Sequence, residues 1–202
     1  IGFLRVLNLT ATLMMPISGI IFMLARDLTT VFLGVKWMPM VSALKLLVIA
    51  GIIRGLVATG GALFQGEGSP EADFKMNLTR LLVMMLTIYP LTQYLDINGI
   101  ALAVVLGNLS CVPIWFIETK RIIKGSTRDF SLIIIPPLLG TLGMCLFLLI
   151  LKWSLNPSLL TFLLETLLAV LSYFVIMVFF EKIYEIKSLD EIKFLINLLN
   201  GI

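Results

Sequence analysis

Arg54 is the residue whose type and position most demand an explanation. It lies 13 residues into an apolar run, 41–64, which at ~1.5 Å per residue puts it near the middle of a membrane-spanning helix. A guanidinium at that depth costs about 2.5 to 3.5 kcal/mol against lipid and is too far in to snorkel easily, so it should face protein or water. Ala50, Gly51, Ala58, Gly61 and Gln65 share its helical face, which is therefore small and polar. Two arrangements fit. The small residues admit a neighbouring helix and Arg54 pairs with a buried acid, or they line an aqueous cavity where Arg54 meets an anionic ligand. The cavity is favoured, because intramembrane charges are usually functional.

Glu165 is the only acid well inside an apolar run. It sits nearer the outer end of its helix than the middle, so it either couples transport to a cation or reaches toward the outer interface. Asn108, midway along another run with Ala101, Val104 and Cys111 on its face, is read first as an interhelical hydrogen-bonding group and second as a ligand contact. Lys45, near the start of its run, reaches toward the outer interface. Arg54, Gln65 and Asn108 are the candidate substrate contacts, with Glu165 a candidate for ion coupling.

Catalytic chemistry finds little material. The chain contains no His, which removes His metal sites, Ser-His-Asp triads and His proton relays. Cys111 and Cys145 sit inside apolar runs, where a thiol packs as a small hydrophobe. An enzyme acting on the outer face would have to use Asp27, Asp96 or a membrane-embedded group, which is thin for paired acid and base work. No Gly-rich phosphate loop follows a strand pattern, so no nucleotide cofactor is expected. The basic stretch 120–128 is a topology signal at the inner surface that can attract anionic lipid, and does not point to nucleic acid. Transport is favoured over catalysis.

The elements that must position these residues follow from composition. The chain is 59% hydrophobic and 13% charged, with mean hydropathy +1.08, whereas a soluble domain needs about 25% charged residues. The apolar residues gather into six runs, 6–25, 41–64, 78–95, 99–116, 132–151 and 159–180, each near the ~20 residues that cross a bilayer. They lack period-2 alternation, so an all-α integral membrane protein of about six helices is expected rather than a barrel. Residues 1–180 form the bundle. In 181–202, Ser188 and Glu191 have capping-box spacing, and Ile192, Leu195, Ile196 and Leu199 share a face. A short cytoplasmic amphipathic helix is expected there, on the membrane surface or docked to a partner.

Lys and Arg concentrate in alternate connections: Arg5, then Lys75 and Arg80, then Lys120, Arg121, Lys124 and Arg128, then Lys182, Lys187 and Lys193. The positive-inside rule places these, and both ends of the segment, in the cytoplasm. A tight outer turn is expected at Asp96-Ile97-Asn98. Pro16, Pro90 and Pro113 fall inside runs, where each removes a helical hydrogen bond and crowds the carbonyl four residues earlier, that of Thr12 for Pro16. The chain begins at Ile1 and opens almost directly into an apolar run, so it is expected to be a fragment.

Four features along the chain carry a resemblance: the Pro-containing first helix; Phe32-Leu33-Gly34-Val35-Lys36-Trp37, similar to F-G-x-x-W; Arg54 in the helix that follows; and Leu63-Phe64-Gln65-Gly66-Glu67-Gly68-Ser69-Pro70, similar to L-x-Q-A-x-G-x-P. Then Asn98-Gly99-Ile100-Ala101-Leu102-Ala103 is similar to G-I-x-G-x-A-x-A. In this order they resemble the polysaccharide transporter family (O-antigen and exopolysaccharide flippases) of the multidrug, oligosaccharidyl-lipid and polysaccharide exporter superfamily. The resemblance implies the last six helices of a two-lobed flippase in the bacterial cytoplasmic (inner) membrane. It also implies movement of an undecaprenyl-diphosphate-linked oligosaccharide by alternating access, for cell-surface polysaccharide or lipopolysaccharide. The expected partners are that lipid-linked oligosaccharide, membrane lipids and other polysaccharide-assembly proteins. A multidrug exporter of the same superfamily would favour acids over a central Arg, and a membrane-embedded glycosyltransferase or polymerase would need a larger outer loop.

Overall fold

A computed structural model describes residues 2–123, 127–152 and 159–184. Among them there is no strand. Helix α1, Gly2–Leu28, runs on through a π turn, Thr29–Leu33, and a 3-10 segment, Val35–Met40, into α2, Val41–Gly66. Gly34, at φ 87°, separates the two short segments, a conformation that only Gly adopts without a steric penalty. The next helical stretch, Pro70–Ile123, spans 54 residues and breaks at Asp96, whose φ of 49° and ψ of −128° are non-helical. It therefore supplies two helices, α3 (70–95) and α4 (97–123). Helices α5, Thr127–Lys152, and α6, Leu159–Tyr184, complete the chain. The expected capping-box helix after Ser188 and the connection 153–158 lie outside the described residues.

Among the described residues, five helical stretches are long and apolar enough to cross a membrane, and the longest folds back on itself. Helices α3 and α4 lie in contact along their length. A Cβ on Gly99 would overlap the Leu91 carbonyl, one on Gly107 would meet the Met84 side chain at 2.5 Å, and the Cys111 thiol donates to the Met76 carbonyl at 3.2 Å. As the α4 number rises its α3 partner falls, the signature of an antiparallel pair. The reversal is tighter than the expected three-residue turn, with the backbone departure confined to Asp96.

Helix α3 starts eight residues earlier than hydropathy suggests. Pro70 is suited to a first turn because its missing N–H has no helical partner there, and Glu71 and Asp73 complement the positive end of the helix dipole. Just before it, α2 closes with Gly68 at φ 69°; the Ser69 N–H donates to the Phe64 carbonyl at 2.8 Å and the Gly68 N–H to that of Gln65 at 3.2 Å.

The chain divides into two compact units, Leu24–Thr127, and Ile1–Met23 with the residues from Arg128 onward. In the first, α2 packs on the α3–α4 pair through Gly60, where a Cβ would lie 2.5 Å from the Trp115 ring, and Gly61, where it would lie 3.2 Å from Asp73 Oδ1. Lipid tails are as apolar as the side chains, so close approach at small residues rather than water exclusion holds such helices together.

In the second unit, Met144 and Leu148 of α5 pack against Ala169, Tyr173 and Met177 of α6, with Ile20 and Met23 of α1 alongside. Spacings of four keep each set on one face. Lys152 Nζ donates to the Met23 carbonyl at 2.8 Å, tying the ends of α5 and α1. Pro16 lies inside α1 and has no N–H for the Thr12 carbonyl. That carbonyl accepts instead from the Tyr173 hydroxyl at 2.9 Å, a buried contact between α6 and α1.

Candidate functional site

Helix α2 has two unlike faces. Ala43, Ala50, Gly60 and Phe64 are buried against its own unit, whereas Leu47, Gly51, Arg54, Ala58, Ala62 and Gln65 are exposed. The exposed residues recur at spacings of three and four, so they form one continuous stripe. Two members of the face expected from sequence lie elsewhere: Ala50 is turned into the packing, and Gly61 is half-buried beside Asp73. Both sit at the edge of a face wider than the packing allows.

Arg54 lies near the centre of α2, about 20 Å from Val41 and about 18 Å from Gly66 along the axis. It is exposed and has no hydrogen-bond or ion-pair partner among the described residues. Around it, Gly51 has nothing within 4 Å of a would-be Cβ. A central guanidinium on a stripe of small residues, with no carboxylate of its own unit to neutralise it, is arranged to meet an anion or water.

The other candidates separate. Gln65 is on the same stripe but about 16 Å away, in the last turn of α2. Asn108 is 3% exposed, and its amide donates to the Val104 carbonyl of its own helix at 2.8 Å. The interhelical hydrogen bond expected of it is therefore absent among the described residues, since an amide can satisfy a donor locally at i−4. Glu165, for which ion coupling and a reach toward the outer interface are both open from sequence, is 4% exposed, which does not fit the second. It heads the buried row Glu165, Ala169, Tyr173 and Met177 of α6, so protein and not lipid or headgroup covers it. It belongs to the other unit from Arg54, Gln65 and Asn108.

Two residues of consequence escape sequence reasoning. Arg80 groups with a connection by the distribution of basic residues, but the early start of α3 puts it about 15 Å into that helix. It is half-buried, and its guanidinium donates to the Asn77 side-chain carbonyl. Pro70 with two acids after it is the signal that places the helix start correctly. Tyr173 carries no sequence signal of its role, because the carbonyl it serves is 161 residues away.

Comparison with known proteins supplies context. Over 167 residues the chain is 25% identical to a Klebsiella pneumoniae protein named "uncharacterized membrane protein in cps region". The alignment covers 80% of this chain and 34% of that protein, so the chain spans about a third of the relative's length. No protein-family model matches it, and no solved structure does. The apolar helices and the relative agree on the class: the chain is an all-α, multi-pass membrane protein.

Proposed function

We propose that the chain is part of a transporter that flips an undecaprenyl-diphosphate-linked oligosaccharide across the bacterial cytoplasmic membrane for cell-surface polysaccharide. The observation that carries this reading is Arg54: central in its helix, exposed, without an acidic partner among the described residues, and flanked by Gly51, Ala58 and Ala62. Such a face lets a bulky anionic group approach a cation in a region where lipid alone would repel it. The relative's place in a cps region, one concerned with capsule polysaccharide, supports the same pathway. The order of motifs from Phe32 to Ala103 supports the flippase family.

In this reading both ends of the segment are cytoplasmic and the lipid tail of the cargo stays in the bilayer. The polar headgroup passes along the Arg54 stripe while the two lobes of the whole protein open alternately. Catalysis has no part, and the oligosaccharide is changed in position only.

The test uses the full-length gene. Deleting it should cause one undecaprenyl-diphosphate oligosaccharide to accumulate on the cytoplasmic leaflet, identified by mass spectrometry. Restoring the gene should clear it, and Arg54→Ala should reach the membrane at normal levels yet fail to clear it. Normal export with Arg54→Ala would remove Arg54 from the mechanism. Absence of any accumulation after deletion would overturn flipping itself.

A further inference from the structure

The contact between Gly61 of α2 and Asp73 of α3, where a Cβ on the glycine would lie 3.2 Å from the carboxylate, fixes how the two helices are aligned. They run antiparallel, joined by the short Glu67–Ser69 turn. Arg54 lies seven residues before Gly61, and Arg80 lies seven residues after Asp73. Seven residues are about 10.5 Å along an axis and return to nearly the same face. Moving that distance from the contact, in the same direction on both helices, reaches Arg54 on one and Arg80 on the other. The backbone positions of the two arginines therefore fall near one level on adjoining edges of the same unit, and the Arg80 guanidinium reaches back about one turn to Asn77.

The surroundings of this level do not neutralise them. Arg54 has no polar partner among the described residues, and Arg80 has only the neutral side chain of Asn77. Asn77 is itself tied to the Asp73 carbonyl at 3.0 Å, which orients its amide so that the oxygen is free to accept from Arg80. The Asp73 carboxylate makes no ion pair with either arginine among the described residues. Across the helix pair, Gly107 meets the Arg80 backbone with no room for a side chain: a Cβ would lie 3.3 Å from the Arg80 carbonyl. Two uncompensated cations at one depth of an apolar layer repel each other and are each costly there. A group with two negative charges relieves both.

We propose that Arg80 is a second anion-binding residue and that, with Arg54, it forms a two-guanidinium site for a dianionic group, a diphosphate in particular. Each guanidinium offers a planar fork of donors to one phosphate, which a single Arg cannot do for both. Asn77 holds the Arg80 fork in place and is a positioning residue. The proposal rests on the flippase reading and adds to it the residue that distinguishes a diphosphate from a monophosphate.

The experiment measures binding to full-length protein in phosphatidylcholine nanodiscs, using polyprenyl diphosphate, polyprenyl monophosphate and inorganic pyrophosphate as probes. Wild-type protein should prefer the diphosphate lipid. Arg80→Gln should weaken that lipid by about 10- to 100-fold, the loss expected for hydrogen bonds to a charged group, and weaken the monophosphate lipid by less than about 3-fold. Arg80→Lys keeps the charge and controls for folding, and it should recover part of the loss. Competition by inorganic pyrophosphate shows that the diphosphate group alone is recognised, and its failure shows that the lipid is required; either supports the site if the variant pattern holds. Equal binding of both lipids by Arg80→Gln and wild type would overturn the site while leaving the flippase reading intact. Wild-type protein that binds neither lipid would overturn both.

Discussion

Replacing Tyr173 by Phe removes one oxygen atom and leaves the Thr12 carbonyl with no donor. The consequence depends on Pro16, because the ring at that position is the reason the carbonyl lacks its helical partner. The Tyr173 Oη to Thr12 O distance of 2.9 Å describes a well-formed neutral hydrogen bond, and the contact is buried. Losing such a bond and stranding its acceptor costs about 1 to 3 kcal/mol in soluble proteins. Measured interhelical bonds in membranes average nearer 0.6 kcal/mol and reach about 1.7. For Tyr173→Phe we expect about 1 to 1.5 kcal/mol, at the upper part of the membrane range, because the stranded carbonyl has no intrahelical alternative. In a Pro16→Ala background the N–H of residue 16 is restored and can take the carbonyl, so Tyr173→Phe should then cost less than about 0.5 kcal/mol. The double-mutant cycle thus predicts a coupling of about 1 kcal/mol. Reversible unfolding of the full-length protein in mixed micelles, followed by loss of helical signal, measures it. Equal cost of Tyr173→Phe in both backgrounds would refute the link between the hydroxyl and the freed carbonyl.

Gly99→Ala should lower the melting temperature more than Gly60→Ala, because the first would push a methyl into the Leu91 backbone and the second into the Trp115 ring, which can shift by rotation; the same micelle assay ranks them, and the reverse order would refute the close α3–α4 approach. Gly51→Ala meets open space and removes a poor helix former, so it should stabilise by up to about 1 kcal/mol while slowing cargo export measured in cells, a split that a purely structural glycine would not show. Asp96→Gly should be tolerated within about 1 kcal/mol, whereas Asp96→Val should be destabilised by about 1 to 2 kcal/mol, because a β-branched residue is poorly suited to φ 49°; indistinguishable melting curves for the two would refute the strained turn.

Much of the architecture is legible in the sequence for a physical reason: lipid demands long apolar helices with every backbone group paired, and that leaves few options. The run 41–64 and the helix Val41–Gly66 nearly coincide because both ends are marked, by Pro39 before and by Gly66-Glu67-Gly68 after. The start of α3 was harder, since Glu71, Asp73 and Lys75 lower its hydropathy although Pro70 and the two acids are good first-turn residues. That misplacement hid Arg80. The missing donor at Pro16 and the carbonyl it orphans are readable from local chemistry, but the hydroxyl that meets that carbonyl is not, because α6 approaches α1 only in the folded unit. The burial of Glu165 is unreadable from sequence for the same reason. Depth along a helix is a sequence property, while the neighbours covering a side chain are a packing property. Pro136 and Pro137 also lie inside α5, and the Thr141 hydroxyl donates to the Pro137 carbonyl at 2.8 Å, a polar side chain stationed beside that interruption.

The division of α2 into two faces sets what its residues can contribute. In lipid no gain comes from hiding apolar surface, so helix association relies on close van der Waals approach and on polar atoms finding partners. Ala43, Ala50, Gly60 and Phe64 supply the approach, and each is small or fits against a glycine or Trp115. Arg54 supplies none, since it is exposed and unpartnered among the described residues. Removing its charge should therefore leave the folded unit as stable as before, or more so, because an uncompensated guanidinium is a cost to the apolar layer. Its presence at the centre of the helix cannot be explained by stability. A residue that a fold carries at a cost and without a structural partner is best explained by what approaches it, and the small neighbours on its stripe leave space for that approach.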